Sequence, residues 1–93
     1  MLQENKLYGF LAATKDDGRI SAVHIALYLA LIQKSMAFKN STEIKVSRQE
    51  IMCLAKISSR QTYNKRIKEL HEFGYIRYYP SFHQTAGAII QLI

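Results

Sequence analysis

A single cysteine, Cys53, in 93 residues excludes an internal disulfide, and such a chain suits a reducing cytosol. Long apolar runs are also missing. The longest, Ile20 to Ile32, is interrupted by Ser21, His24 and Tyr28 and falls short of the roughly 20 residues a membrane span needs. Glu4 and Lys6 stand where a signal peptide would be apolar. Repeats, low-complexity tracts and linkers are absent, so one cytoplasmic domain over residues 1–93 is expected, with a small core. Acids are few, seven Asp and Glu in all, and no paired carboxylates, Ser/His/Asp grouping or Gly-rich phosphate loop can be traced. His24, His71 and His83 fit no metal spacing with Cys53. No enzyme, no cofactor and no small-molecule ligand are expected. Cys53, amid Ile51, Met52 and Leu54, reads as a buried structural thiol, and His24 as a satisfied core or interface histidine.

What is present is apolar residues, at 48%, which argues against disorder, and positive charge. The net charge is +6 and the pI about 9.6, which favours an anionic partner, nucleic acid first and a membrane surface second. The surplus is concentrated. Lys45 to Arg77 holds eight Lys and Arg against three Glu, a local +5. Within it, Lys56, Arg60, Lys65, Arg66 and Lys68 lie in a run without a single acid.

Spacing predicts the elements. Leu7, Phe10 and Leu11 suggest a helix over 3–14, broken by a loop at Lys15–Arg19. Ser21 caps a long helix to about Phe38, ended by Asn40-Ser41. That helix is apolar on nearly every side and must be covered all round, so part of it, with Tyr28 and the first helix, is expected to meet a second copy. Glu43 to Val46 alternates like a strand. Ser47-x-x-Glu50 is a capping box opening a helix to about Ala55, with Ile51, Leu54 and Ala55 inward. Lys56-Ile57 is a turn, and Ser58-x-x-Gln61 is a second capping box. The helix it opens runs to about Phe73 on a Tyr63, Ile67, Leu70 stripe and closes at Gly74. Tyr75 to Tyr79 and Ala88 to Ile93 are strands joined by the loop Pro80–Gly87.

A short helix, a tight turn, a basic helix and then an aromatic strand is the layout of a winged helix-turn-helix. The segments HIALYLALIQ and SSRQTYNKRIKELHEFGYIRYYPSF, with the pattern R-I-K-E-L-x-x-x-G-Y-I, resemble the compact winged helix-turn-helix DNA-binding proteins of bacteria, including those on mobile elements. The resemblance covers about residues 20 to 93. It implies a mainly α fold with a small β-sheet (α+β): N-terminal helices over 1–39, strand and helix-turn-helix over 43–73, and a two-stranded wing over 74–93. The sequence departs from such proteins at the wing loop, Ser81 to Gly87, which carries no fixed charge where they often place Lys or Arg on a phosphate.

If the second helix of the pair reads DNA, Tyr63, Ile67 and Leu70 face the core and the other side offers Ser59, Arg60, Gln61, Asn64, Lys65 and Lys68. Arg suits a guanine edge and Gln or Asn an adenine edge. Lys65 and Lys68 suit phosphates, as do the amides of Ser59 and Arg60, with Arg48 reaching the backbone beside them. Gln61 is either a base reader or only the partner of Ser58. Arg66 either adds to the charge or pairs with Glu69 three residues on. Tyr75, Tyr78, Tyr79 and Phe82 either pack the strands or stack on bases.

The expectation is therefore sequence-specific binding of double-stranded DNA by a homodimer, in transcription regulation or in the excision or replication of a mobile element. One short helix per subunit makes too few contacts for tight specific binding alone. Two alternatives stand beside it: a protein–protein interaction module docking through the apolar helix, and a single-stranded nucleic-acid binder. The dimer is expected through the N-terminal helices or through an exposed edge strand at Ala88 to Ile93.

Overall fold

The apolar run after Ser21 becomes the helix on which the other three helices and β1 pack. In the computed structural model, which describes residues 2–37, 43–79 and 88–93, it is α2 (Ala22–Ala37), preceded by α1 (Leu2–Thr14). Then follow β1 (Glu43–Val46), α3 (Arg48–Ala55), α4 (Arg60–Glu72), β2 (Ile76–Tyr79) and β3 (Ala88–Leu92). The architecture is mainly helical with a small antiparallel sheet, an α+β fold. No helix among the described residues is long and apolar enough to cross a membrane. The expected end of α2 at Phe38, its Asn40-Ser41 stop and the Pro80–Gly87 loop lie outside the described residues.

α2 meets α1, α3, α4 and β1. Leu27, Tyr28, Leu31 and Ile32 are buried on these sides. One stripe stays uncovered: Leu29 is 44% exposed and Met36, seven residues on, 53%. Tyr28, expected at a contact with a second copy, is instead buried within its own chain. Its ring stacks on Phe10 of α1 at 3.9 Å between centroids, with 1° between the planes. α1 thus supplies cover that the sequence reading assigned to another subunit.

The sheet has three strands in the order β1-β3-β2, not two. β3 is antiparallel to both neighbours, with Ile44 and Tyr78 each opposite Ile90, and Ile76 opposite Leu92. Ile44, Val46, Ile76, Ile90 and Leu92 alternate onto the buried face. Ala88 to Leu92 is therefore the central strand, and its backbone groups are used on both sides. The exposed edge expected there belongs instead to β1 and β2. Local alternation marked β1 as a strand, but nothing local marked the partner it pairs with over forty residues away.

Two polar clusters tie the α1–α2 region to the C-terminal half. Arg19 donates twice to Asp17, at 2.9 and 2.8 Å, and Tyr75 Oη donates to the same carboxylate at 2.6 Å. The Arg19 hydrogen bonds first, then that of Tyr75, hold the Asp17 carboxyl far below the usual range. The Arg19 guanidinium lies 4.2 Å above the Phe73 ring.

The second cluster centres on His24, fully buried on α2. Its Nδ1 accepts the Ser21 amide at 2.8 Å, as an acidic third residue does in a capping box. The ring hydrogen must then sit on Nε2, which donates to Glu69 Oε1 of α4 at 2.9 Å. The expected satisfied core histidine is present, and it fastens α2 to α4.

Candidate nucleic-acid interface

α4 has a core side and a solvent side. Tyr63, Ile67 and Leu70, the predicted stripe, are all buried. Burying such side chains contributes about 1.5–3 kcal/mol each, enough to fix how the helix is rotated. Burial also pushes the Tyr63 hydroxyl up to about 12. At about 100° per residue, Arg60, Gln61, Asn64, Lys65 and Lys68 then share an arc of about 140° on the solvent side. Arg60, Gln61, Lys65 and Lys68 are exposed and Asn64 is half-buried. Glu72, one turn beyond Lys68, ends the arc with an acid.

Glu69 and Glu50, the other acids near the arc, are engaged elsewhere. Arg66 donates to Glu69 at 2.7 Å, so the surface pairing foreseen for Arg66 is made, and His24 adds the bond already described. Arg66 first, and His24 after it, hold the Glu69 carboxyl below its ordinary value against the opposing effect of burial. Glu50 pairs with Lys34 of α2 and is likewise held low, chiefly by that lysine. Arg48, Lys56, Arg60, Lys65 and Lys68 make no ion pair among the described residues. A one-signed face of this kind attracts anions and pays a self-repulsion cost when empty.

The ends of the two helices set how the face is presented. Ser47 caps α3, its Oγ accepting the Glu50 amide at 3.1 Å as the capping box predicts. Arg48 follows as the first residue of α3, exposed, and its charge is felt at the hydroxyl of Tyr63 on α4. α3 closes with Lys56 in the left-handed conformation, the Lys56 and Ile57 amides returning to the carbonyls of Cys53 and Met52. α4 closes in the same way on Gly74 at φ +86, with the Gly74 and Tyr75 amides bonded to His71 and Leu70. His71 Nδ1 also accepts the Tyr78 amide at 3.0 Å, holding β2 against the helix end.

Two expectations fail here. The cap of α4 is Ser59, not Ser58: Ser59 Oγ accepts the Thr62 amide at 3.2 Å. Ser58 with Gln61 fits the capping-box pattern, whereas Ser59 caps without one. The frame used lets Ile57 pack against the core after the α3 turn. Gln61 consequently has no place in a Ser58 capping box and stands in the first turn of α4, exposed, while the Ser59 hydroxyl is committed to its own helix. Cys53 is exposed rather than buried. On a helix it lies about 200° from Ile51, so its apolar sequence neighbours are not its spatial ones.

Of the predicted residues, Arg60, Gln61, Asn64, Lys65 and Lys68 come together on one arc, Ser59 stands at its N-terminal end, and Arg48 sits on the neighbouring helix. The sequence reading passed over a second basic surface. The outward side of the sheet sets Lys45, Ile89 and Tyr79 in one row across the strands, and Glu43, Gln91 and Arg77 in the next. Period-two alternation marks Arg77 and Tyr79 as outward partners, but only the strand order puts Lys45 on the same face, across Ile89 of β3. Among the described residues no group of three or more His, Cys, Asp or Glu is placed to hold a metal ion.

Chemically, the α4 arc combines a guanidinium and two carboxamides, which match the donor and acceptor pattern of base edges, with ammonium groups suited to phosphates. Comparison with models of protein families, with curated proteins and with solved structures finds no match for this chain.

Proposed function

We propose that this chain binds double-stranded DNA sequence-specifically, with α3, the turn at Lys56-Ile57 and α4 acting as a helix-turn-helix and β2–β3 as the wing. The observation that carries the reading is the α4 arc: Arg60, Gln61, Asn64, Lys65 and Lys68 face solvent without ion pairs while the opposite side of the helix is locked to the core. α4 enters the major groove, Arg60 and the carboxamides read base edges, and Lys65, Lys68 and Arg48 hold phosphates. A homodimer doubles the contacts and predicts two-fold related half-sites. With Tyr28 buried and β3 central, its contact falls to the outer sides of α1 and α2, where Tyr8, Leu11, Leu29 and Met36 remain exposed. The role is that of a transcriptional regulator or an accessory protein in mobile-element excision or replication.

A second reading has one observation in its favour. Tyr79 is exposed on the outer sheet face, with Arg77 two residues before it on β2 and Lys45 in the same row across Ile89, a combination that suits single-stranded nucleic acid. Of the aromatics offered for stacking, Tyr79 is the one exposed ring among the described residues, since Tyr78 is half-buried and Tyr75 is bonded to Asp17; Phe82 lies outside them. Fluorescence anisotropy with duplex and single-stranded DNA over a salt series separates the two. Duplex binding that weakens steeply with salt supports the α4 reading. Tighter binding to single strands moves the site to the sheet, and no binding to either at low salt removes both.

A further inference from the structure

Lys56 is the one non-glycine residue at positive φ among the described residues, at φ 62 and ψ 39. An L-residue there brings its Cβ against the backbone, and glycine escapes that cost. The same chain uses glycine where it meets the same need, since Gly74 closes α4 with the same pair of returning amides. At the end of α3 the strained position carries a cation instead. Lys56 is exposed and makes no ion pair among the described residues, so beyond a favourable place at the C-terminal end of the α3 dipole its ammonium is left to solvent. It stands three residues before Ser59, at the entrance to the basic arc. A strained residue held by well-formed surrounding bonds is a pointer to function.

We infer that Lys56 is a phosphate contact, a cation held at the α3–α4 turn to grip the duplex backbone beside the point where α4 enters the groove. The inference rests on the DNA-binding reading and gives a contact to a residue that the sequence only counted within the basic run. The left-handed backbone fixes the direction in which Cβ leaves the turn, so the side chain starts from a constant place relative to the first turn of α4. A contact of this kind sets register and orientation and reads no base.

The test separates stability from binding in one variant. Lys56→Gly removes both the strain and the charge. It is expected to unfold at higher urea than the parent yet bind duplex DNA about threefold or more weakly, equally for specific and random sequences. The slope of log K against log salt should be shallower by about 0.9, the loss of one phosphate. Lys56→Arg keeps the charge and is expected to retain the parent's slope. If the parent binds duplex and Lys56→Gly binds with unchanged affinity and slope, the inference falls and the DNA reading stands. A Lys56→Arg variant that loses the contact as Lys56→Gly does also overturns it. If the parent binds no duplex at all, both readings fall together.

Discussion

Ile67 and Lys68 are adjacent in sequence and occupy opposite environments, so truncating each in turn tests the orientation of α4. Ile67 is 0% exposed. Ile67→Ala deletes three carbons, worth about 2.5 kcal/mol at about 0.8 kcal/mol per buried methylene. The cavity left behind raises the expected loss to about 3–4 kcal/mol. A domain of this length has a total stability of about 5–14 kcal/mol, so the variant remains folded with a much lower urea midpoint. Lys68 is exposed and makes no ion pair among the described residues, and Lys68→Ala is expected to shift stability by less than about 0.5 kcal/mol. Its effect should appear in duplex binding, as weaker affinity and a shallower salt dependence on any sequence. Urea unfolding followed by circular dichroism, with anisotropy under conditions where both variants are folded, gives the four numbers needed. A Lys68→Ala variant as destabilised as Ile67→Ala, or an Ile67→Ala variant of parental stability, would refute the assignment of faces on which the whole interface rests.

Other consequences can be checked with the same material. Ser59→Ala is expected to cost about 1 kcal/mol of stability by removing the α4 cap, while Ser58→Ala costs a few tenths at most; urea midpoints reversed in order would return the cap to Ser58. Asp17, Glu50 and Glu69 have carboxyls held below their ordinary values of 3.8 and 4.5, so the folded state binds protons less readily than the unfolded chain. Their contribution is complete above about pH 5 and is lost as the pH falls through the folded values, so the urea midpoint should drop between pH 5 and 2. Asp17→Asn, which removes the group shifted furthest, should make that drop shallower. Arg60→Ala should weaken a selected operator by about 1–3 kcal/mol with little effect on random DNA, and Lys65→Ala should weaken both alike. Competition titrations that find equal effects on both DNAs would end that division of roles.

The parts of this protein legible in its sequence are those governed by interactions within about four residues. The Ser47 cap, the Tyr63–Ile67–Leu70 stripe, the left-handed Gly74 and the alternation of β1 depend on hydrogen bonds and side-chain periods that a short window contains. The basic arc of α4 belongs with them, because a buried stripe fixes which residues point the other way. The window misled at the start of α4: Ser58 with Gln61 fits the capping-box pattern, yet Ser59 makes the cap.

Long-range pairing settled the rest. That β1 joins β3, making the last strand central, follows from a register between segments more than forty residues apart. Tyr28 is covered by Phe10 because α1 folds back along α2, and its own aromatic character could not reveal which surface would meet it. His24 reaches Glu69 across 45 residues, turning an expected core histidine into a clasp between α2 and the basic helix. The composition and local spacing of this chain determined that a helix with one mainly cationic face, closed by Glu72, would form. Only the tertiary structure decided that Glu50 would be drawn to Lys34 and that His24 would join Arg66 on Glu69, because packing brings α2 against α3 and α4.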